Sequence, residues 1–563
     1  MRVDMDELQQ SVQRVVRDVF NQDVPVELTR TAEQFGDVTT NVAMQLAGRL
    51  QLSPRDIAAK LADALRSALA DSVQDVMVAG PGFINITLHD AVLARQAMAA
   101  PTTKPQFFKG QTVVTEYSDP NPFKVLHAGH LYTTIVGDVI SRLYETAGAT
   151  VHRLNYGGDV GLHVGKAMWG IIRHLGGELP EKLAAVPEAE RPAWVTARYV
   201  EGNTAYEEDE QAKAEIVTVN QRVYALHQTA DHESPFAQIY WTCRDWSYKG
   251  FDALYEQLHI APFEKYVPES DVTPKAMEMV ERGLAEGVLT MSDGAAVFKG
   301  EDHGLHTRVF RNSAGLPTYE AKDLGLAATK WQEYHFDKSV IITANDIVEY
   351  MKVVLKALAH FYPEVVDRSV HLTHGMIKLP GGRKMSSRKG NVTLAADILD
   401  AAVAANKALS GKDNYDVVVG AVKYAFLKQR VGGDIVYDPE ESVSLEGNSG
   451  PYLQYAHARA RSILRKAGDR PVAFDDTFEP VERTLARKIS EYPEVVGRAV
   501  AELMPHHIAT YLYELAQVFN RFYEQAKVID DPREAVRLQL VMHYADILRD
   551  GLGLLGIVAP DQM

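Results

Sequence analysis

Cysteine is almost absent from this chain, since its 563 residues include a single one, Cys243. Disulfide frameworks and cysteine-ligated zinc sites both need several thiols at close spacing, so the sequence excludes the first and predicts no structural zinc. A chain with one thiol suits a reducing compartment, and we expect a cytoplasmic protein.

Long hydrophobic runs are lacking as well. No window approaches the roughly 20 apolar residues that are needed to cross a bilayer. The first residues, MRVDMDELQQ, contain no basic segment followed by an apolar one. We therefore expect neither membrane insertion nor secretion.

Positive charge is in deficit, because 59 lysines and arginines face 75 aspartates and glutamates, which gives a formal net charge of -16. Proteins that coat nucleic acid need many cations to neutralise phosphates, so the balance argues against that class. Local basic tracks on an acidic protein can still bind nucleic acid.

Apolar periodicity predicts a small N-terminal α+β domain over residues 1–105. Its first helix carries one apolar stripe, formed by Leu8, Val12, Val15, Val16 and Val19. Ser53 and Pro54 open a second helix as N-cap and first helical residue, and AGPGFINITL reads as a strand entered through a turn.

Short apolar strands alternate with helices from about residue 110 onward, which predicts βαβ crossovers and a parallel sheet. We assign residues 106–411 to this α/β domain, with a helical insertion at about 166–300. Residues 412–563 show almost only helical periodicity and are predicted to form an all-α domain.

Two histidines lie where a predicted strand passes into a helix, in the stretch EYSDPNPFKVLHAGH. Ligands bind at the carboxyl ends of parallel strands, and a helix N-terminus there attracts anions. His127 and His130 can donate hydrogen bonds to phosphate oxygens, while Gly129 leaves the backbone open to a ligand. A proline-rich loop with surface histidines would give the same pattern, so the motif is weak by itself.

A basic loop follows about 250 residues later, in KLPGGRKMSSRKGN. Lysines in such a loop can stabilise the charge that develops when pyrophosphate leaves a triphosphate. A solvated basic loop is the alternative, but its pairing with the histidine motif on one sheet favours a nucleotide site.

These two stretches resemble the HIGH and KMSKS signatures of class I aminoacyl-tRNA synthetases. The similarity to the arginyl-tRNA synthetase family extends over nearly the whole chain. It includes AGPGFINITL, EYSDPN, NYGGDVGLHVG, YEAKD, LEGNSGPYLQYAHARARS and LRDGLGLLGIVAP, in that order.

The resemblance implies a class I fold with a Rossmann-like parallel-sheet catalytic domain, an N-terminal α+β domain and a C-terminal all-α anticodon-binding domain. It implies ATP with Mg²⁺ as cosubstrate and no protein metal site. His127, His130 and Lys384 are the implied catalytic residues. The implied ATP-binding set is His127, Gly129, His130, Met376, Lys384, Ser386, Ser387, Lys389 and Lys124.

A planar guanidinium needs carboxylates and amide oxygens that accept hydrogen bonds in its plane. By the resemblance, Glu116, Tyr319 and Asp323 surround the guanidinium of L-arginine, and Asn121 lies near its α-amino group. Without the resemblance, Tyr319 and Asp323 would more often be a surface turn. Family members often carry a glutamine near the substrate where this chain has Asp346 or Ile347.

Aromatic and basic residues are interleaved from about residue 452, a pattern typical of single-stranded nucleic-acid binding. A helix with one packed aromatic face and one solvated basic face is the alternative. By the resemblance, Tyr452, Tyr455 and Arg459 contact the anticodon loop of tRNA(Arg), and Phe35 contacts its elbow. The resemblance also implies a monomer that needs bound tRNA before it activates arginine.

Three other functions stay open at the level of sequence. The chain could be a synthetase for another amino acid, a catalytically silent tRNA-binding relative, or a small-molecule ligase with the same nucleotide fold. Intact motif residues oppose the second, and the aromatic-basic C-terminal domain has no purpose in the third.

Overall fold

The computed structural model describes residues 5–378, 380, 393–475 and 477–563. The N-terminal elements form an antiparallel sheet with strand order β1-β2-β4-β3, covered by helices. They are α1 (Met5–Phe20), β1 (Thr29–Arg30), β2 (Val38–Thr40), α2 (Val42–Leu50), α3 (Pro54–Ala68), β3 (Val73–Ala79), β4 (Phe83–Leu88) and α4 (Asp90–Ala99).

The predicted helix starts are largely confirmed in this region. The Ser53 hydroxyl accepts a hydrogen bond from the Asp56 N–H at 3.1 Å and caps α3. Four residues of the predicted α1 stripe are buried, but Val19 is 38% exposed. Val19 lies in the last turn of α1, where Phe20 and not Val19 packs against the core, so its inclusion in the stripe was wrong.

The central region forms a five-stranded, all-parallel sheet with strand order β12-β11-β5-β6-β7. Its elements are β5 (Thr112–Glu116), α5 (Ala128–Thr146), β6 (Thr150–Gly157), α6 (Leu162–Leu175), α7 (Arg191–Glu208), α8 (Glu210–Gln228), α9 (Pro235–Gln257), β7 (Lys265–Pro268), α10 (Glu269–Glu286), β8 (Thr290–Ser292), β9 (Ala295–Phe298), β10 (Arg308–Arg311), α11 (Tyr319–Tyr334), β11 (Lys338–Ala344), α12 (Val348–Leu358), α13 (Pro363–Asp367), β12 (Ser369–His374) and β13 (Ile377–Lys378).

Not all of the predicted insertion is helical. Strand β7 returns to the central sheet and pairs in parallel with β6, with Tyr156 opposite Val267. Strands β8, β9 and β10 form a separate antiparallel sheet. Four residues are too short a strand for an apolar pattern to reveal, and β7 is also followed directly by the charged start of α10.

The C-terminal region is almost entirely helical, as predicted. It contains α14 (Ala395–Ser410), α15 (Tyr415–Leu427), β14 (Ile435–Val436), α16 (Pro439–Ser442), α17 (Gly450–Ala467), α18 (Pro480–Ser490), α19 (Tyr492–Glu502), α20 (His506–Gln525) and α21 (Glu534–Leu554). Its apolar core is continuous with one side of the central sheet, because α5 packs against both. The predicted α/β multidomain fold is therefore confirmed.

An ionic contact joins the N-terminal sheet to helix α18. The fully buried Asp37 carboxylate forms ion pairs with Arg483 at 2.8 Å and Arg487 at 3.2 Å, and it accepts the Leu88 N–H at 2.7 Å. Arg30 forms a further ion pair with Glu494 at 2.7 Å. Within the described ranges, no helix is both long and apolar enough to span a membrane.

Helix α5 approaches β5 so closely that only glycine fits at residue 137. A Cβ atom there would lie 2.1 Å from Cγ of Tyr117. We expect Gly137→Ala to lower the free energy of unfolding by about 1–3 kcal/mol, because the overlap must be relieved by shifting a packed ring.

Gly553→Ala is the matched control, since a Cβ on this glycine of α21 meets nothing within 4 Å. Alanine favours a helix over glycine by up to about 1 kcal/mol, so this variant should be neutral or more stable. Calorimetric melting of both variants measures the difference. Equal melting temperatures would contradict the packing argument.

Candidate active site

The order of strands reverses between β5 and β11. From β5 the chain moves outward through β6 to β7, and then returns on the other side to form β11 and β12. Ligands of open α/β sheets bind at the carboxyl ends of the strands at such a reversal. The segment that follows β5 carries the HAGH motif, so the motif lies at this reversal of strand order.

Helix α5 begins with the motif, and its two histidines cap the helix. His130 N–H donates to Nδ1 of His127, and His127 N–H donates to Nδ1 of His130, both at 3.3 Å. The rings stack with centroids 3.7 Å apart. Burial, with Lys124 nearby, lowers the pKa of both imidazoles, so both are neutral at pH 7.

This arrangement fixes the tautomer of both rings. Each Nδ1 accepts a backbone N–H, so the single proton of each neutral ring is on Nε2. Both Nε2–H groups can donate to a ligand. At Gly129, a Cβ would lie 2.9 Å from the His127 ring. The glycine makes room for the imidazole itself.

The KMSSRKGN residues Lys384, Ser386, Ser387 and Lys389 lie outside the described residues. The segment that follows them is held against the histidine motif, since Ala128 N–H donates to Thr393 O at 2.9 Å and Ala395 N–H donates to Leu126 O at 3.0 Å. Met376 is 62% exposed, and its N–H donates to the Asp434 carboxylate at 2.8 Å.

Lys124 lies beside the histidines at the start of the site. Its Nζ is 4.7 Å from the centre of the Tyr199 ring, and no carboxylate of the described residues lies within ion-pair distance. Burial and the nearby Lys166 lower its pKa. A partly buried cation without a counter-ion is suited to an anionic ligand.

Glu116 and Asp323 converge in the structure, as predicted from the resemblance. Both line one cavity of about 20 Å³ between the sheet and helices α11 and α12. The buried Glu116 Oε2 accepts a hydrogen bond from Lys330, which also donates to the Ser339 hydroxyl at 3.2 Å. Asp323 Oδ2 accepts the Tyr350 hydroxyl at 2.6 Å.

The two acids differ in their electrostatic surroundings. Among the residues that the structure describes, no lysine forms a hydrogen bond with Asp323, and burial raises the pKa of its carboxyl to about 8. The nearby Glu116 and Glu269 act in the same direction, while the Tyr350 hydroxyl opposes the shift. Asp323 therefore holds its proton at pH 7 in the absence of a ligand.

Glu269, which the sequence reasoning missed, is a third buried acid, close enough to Asp323 to raise the pKa of its carboxyl. We refer to the region of Glu116, Asp323 and Glu269 as the cleft. Glu269 is buried at the first position of α10, directly after β7, and its Oε2 accepts a hydrogen bond from the buried Lys322. A carboxylate that follows a parallel strand was the available signal, but β7 itself was not predicted.

The two remaining predicted substrate residues lie at the same cleft. Asn121 Oδ1 accepts the Gly158 N–H at 2.8 Å, and a Cβ on Gly158 would lie 3.0 Å from Glu269 Oε1. Tyr319 is the first residue of α11, 54% exposed, and its ring lies 5.2 Å from Lys322 Nζ. Asp346 is exposed and Ile347 is half-buried at the turn between β11 and α12.

The predicted tRNA residues occupy two other parts of the molecule. On α17, Tyr455 is 48% exposed, the Tyr452 hydroxyl accepts a hydrogen bond from Asn520 at 2.8 Å, and Arg459 lies 4.3 Å from the centre of the Tyr523 ring. Phe35 is 47% exposed on the N-terminal unit.

Comparison with known proteins agrees with this geometry. Residues 92–438 match the family model described as tRNA synthetases class I (R), catalytic domain. Residues 6–88 match the arginyl tRNA synthetase N terminal domain, and residues 453–563 match the DALR anticodon binding domain. The chain belongs to the arginyl-tRNA synthetase family.

Curated members of the arginyl-tRNA synthetase family align over most of their length. The arginine–tRNA ligase of Cutibacterium acnes is 33% identical over 95% of this chain and 96% of its own, and that of Frankia casuarinae is 31% identical over 94% of both. The solved arginyl-tRNA synthetase of Thermus thermophilus superposes with a TM-score of 0.78 and 25% identity, covering 99% of this chain and 100% of that one.

The raised pKa of Asp323 predicts how the site affects stability. An aspartate ionises near pH 3.9 when unfolded, so the folded state becomes less stable, through this group, as the pH rises from about 4 to about 8. Asp323→Asn cannot ionise. We expect it to melt at a higher temperature than the wild type, with a difference that widens from pH 5 to pH 8.

Thermal unfolding followed by circular dichroism at each pH measures this difference. The exposed Asp71→Asn is the control and should follow the wild type throughout. A difference between Asp323→Asn and the wild type that does not depend on pH would contradict the assignment.

Proposed function

We propose that the chain is an arginine–tRNA ligase, which joins L-arginine to tRNA(Arg) with conversion of ATP to AMP and pyrophosphate. The observation that carries the proposal is the convergence of Glu116 and Asp323 on one cavity, at the end of the strand that leads to His127 and His130. A cleft of acids selects a cation, and paired imidazoles at a helix N-terminus bind phosphates. Membership of the arginyl-tRNA synthetase family supports the same reaction.

The first step joins arginine to AMP. A carboxylate oxygen of arginine attacks the α-phosphorus of ATP, the bond to the bridging oxygen breaks, and pyrophosphate leaves. We propose that the Nε2–H groups of His127 and His130 donate to the phosphate oxygens, where negative charge develops. Lys124, together with Lys384 and Lys389 of the basic loop, is proposed to neutralise the leaving pyrophosphate. Gly129, Met376, Ser386 and Ser387 complete the proposed nucleotide site.

The second step transfers the arginyl group. A ribose hydroxyl of the terminal nucleotide of tRNA attacks the arginyl carbonyl carbon and forms an ester bond. The bond between that carbon and the phosphate oxygen breaks, AMP leaves with its electrons, and the hydroxyl proton is released. Mg²⁺ is proposed to arrive with ATP, held by phosphate oxygens, which are the hard ligands it prefers. Over the described residues, no group of three or more His, Cys, Asp or Glu side chains is placed to hold a metal ion.

Recognition of arginine is proposed to depend on the charge of Asp323. The guanidinium is a permanent cation with five N–H donors, so its arrival favours the ionised carboxylate. Glu116, Glu269 and Tyr319 are the other proposed contacts of the side chain, and Asn121 is the proposed contact of the α-amino group. A site built on hydrogen bonds rejects analogues that lack the partner group by about 10⁴-fold or more, so no editing site is needed.

The tRNA is proposed to contact both ends of the chain. Tyr452, Tyr455 and Arg459 on α17 are assigned to the anticodon loop and Phe35 to the elbow. The proposed domains are residues 1–105, 106–411, with its insertion at about 166–300, and 412–563. We further propose a cytoplasmic monomer that activates arginine only with tRNA bound. The single, buried cysteine fits a reducing compartment.

Pyrophosphate exchange with each of the twenty amino acids tests the function. In the presence of total tRNA, we expect only arginine to support exchange of label between pyrophosphate and ATP. Omission of tRNA should abolish the exchange. Exchange with another amino acid would identify a different synthetase, and no exchange with any would indicate a silent relative. Arginine exchange without tRNA would refute only the tRNA requirement.

The pH dependence of arginine binding tests the role of Asp323. Below its pKa of about 8, arginine must displace a proton from the carboxyl, so affinity rises as the pH rises. We expect KM for arginine to fall by up to about tenfold per pH unit between pH 6 and pH 7 and to level off above pH 8.

Tyr350→Phe is the informative variant, because the Tyr350 hydroxyl lowers the pKa of Asp323. Loss of this hydroxyl should raise the pKa of Asp323, so KM for arginine should level off at a higher pH than in the wild type. Asp71→Asn should leave the profile unchanged. A KM for arginine that is constant from pH 6 to pH 8 would contradict the proposed proton displacement.

A further inference from the structure

The hydroxyl of Tyr156 is a buried polar group that finds no partner among the described residues. Tyr156 lies next to the last residue of β6, and no described residue forms a hydrogen bond with its Oη. Nearly all buried polar groups in folded proteins are hydrogen-bonded, and leaving one unmade costs stability. The mechanism described above does not use this group.

The ring of Tyr156 is fixed in place by its strand. Its N–H donates to the half-buried Asp119 carboxylate at 2.8 Å, and its backbone pairs with Val267 in β7. The ring packs against the apolar cluster between the sheet and α10 and α11. The position of the hydroxyl is therefore set before any ligand arrives.

The Tyr156 side chain lies on the same face of the sheet as Glu116, because parallel pairing sets Glu116 beside Leu154 and side chains two residues apart on a strand share a face. Burial raises the pKa of Tyr156 well above its usual range, and the next contributions come from Glu269, Asp323, Tyr350 and Glu116. These are the acids of the cleft and the tyrosine that donates to one of them. Tyr156 thus keeps its proton and its lone pairs stay available.

Each acid of the cleft accepts a hydrogen bond from a neighbouring side chain through one of its two carboxylate oxygens. Oε2 of Glu116 is bonded to Lys330, Oε2 of Glu269 to Lys322, and Oδ2 of Asp323 to Tyr350. Among the described residues, nothing donates to the second oxygen of any of the three. The cleft therefore has more acceptors than donors, and a ligand rich in N–H groups would satisfy it.

We propose that the Tyr156 hydroxyl accepts an N–H of the arginine guanidinium, which makes Tyr156 a specificity-determining residue of the ligase. This inference rests on the proposed function and deepens it, since it concerns the same cleft. The guanidinium presents five donors in one plane, more than a single carboxylate can accept. Tyr156 supplies an acceptor from β6, the strand next to the one that carries Glu116.

Tyr156→Phe tests the proposal, because it removes one oxygen and keeps the ring. Arginylation of tRNA would be measured for kcat, for KM of arginine and for KM of ATP, with thermal unfolding of each protein. We expect KM for arginine to rise about tenfold, because the variant loses one hydrogen bond to a charged group. kcat and KM for ATP should stay within about twofold, and the melting temperature should not fall, because an unsatisfied group has been removed.

Tyr544→Phe is the matched control. Its hydroxyl is also buried without a partner among the described residues, but it lies in the C-terminal helices, where its ring stacks on Phe519 at 3.8 Å. KM for arginine should be unchanged in this variant. Tyr156→His is a second test variant, since its ring nitrogen can still accept a hydrogen bond, and its KM for arginine should rise less than that of Tyr156→Phe.

The outcomes separate this inference from the proposed function. An unchanged KM for arginine in Tyr156→Phe, beside an active wild type, would overturn the role of Tyr156 alone. The role of Tyr156 would also be overturned if Tyr156→Phe melted at a lower temperature and its kcat, KM for arginine and KM for ATP were all impaired to the same extent. That result would show a structural role for the hydroxyl. A wild-type protein that cannot attach arginine to tRNA would overturn the proposed function and this inference together.

Discussion

Two lysines of helix α11 compensate the charge of the acids on which the cleft is built. Lys330 neutralises Glu116, the last residue of β5, and Lys322 neutralises Glu269, the first residue of α10. Buried ion pairs add little net stability, but removal of one partner leaves an uncompensated charge at a cost of about 3–5 kcal/mol. Both lysines are therefore needed for the fold as well as for the site. No lysine of the described residues pairs with Asp323, and burial raises the pKa of its carboxyl to about 8.

The sheet explains why these residues meet. Parallel pairing of β5 with both β6 and β11 aligns Glu116 with Leu154 on one side and Ile341 on the other. The histidine motif follows the same strand, so the acids and the imidazoles lie on one edge of one sheet. The apolar core beneath α5 then extends into the C-terminal helices, which ties the start of this helix to the proposed tRNA-binding region.

The regular parts of the fold could be predicted from the sequence. Alternating strands and helices indicated the parallel sheet, the Ser53-Pro54 pair marked the start of α3, and the histidine motif marked the start of α5. These features depend on neighbouring residues, which a linear pattern records. Val19 was placed wrongly because apolar periodicity does not show which residue of the last helical turn the core covers, and here it is Phe20.

The chemistry of the cleft was harder to predict, because its partners are distant along the chain. Glu116 and Asp323 were paired only through a family resemblance. Glu269 was missed because the four-residue strand before it leaves almost no apolar signal. Lys322 and Lys330 would read as solvated residues of a charged helix. Whether such a residue is buried depends on the carboxylates that tertiary structure brings to it.

The contact between Gly129 and His127 has an evolutionary consequence. The imidazole of His127 occupies the space that a side chain at position 129 would need, so the glycine cannot be enlarged while the histidine stays. Related sequences should therefore vary at these two positions together: wherever a larger residue replaces the glycine, the first histidine should have given way to something smaller.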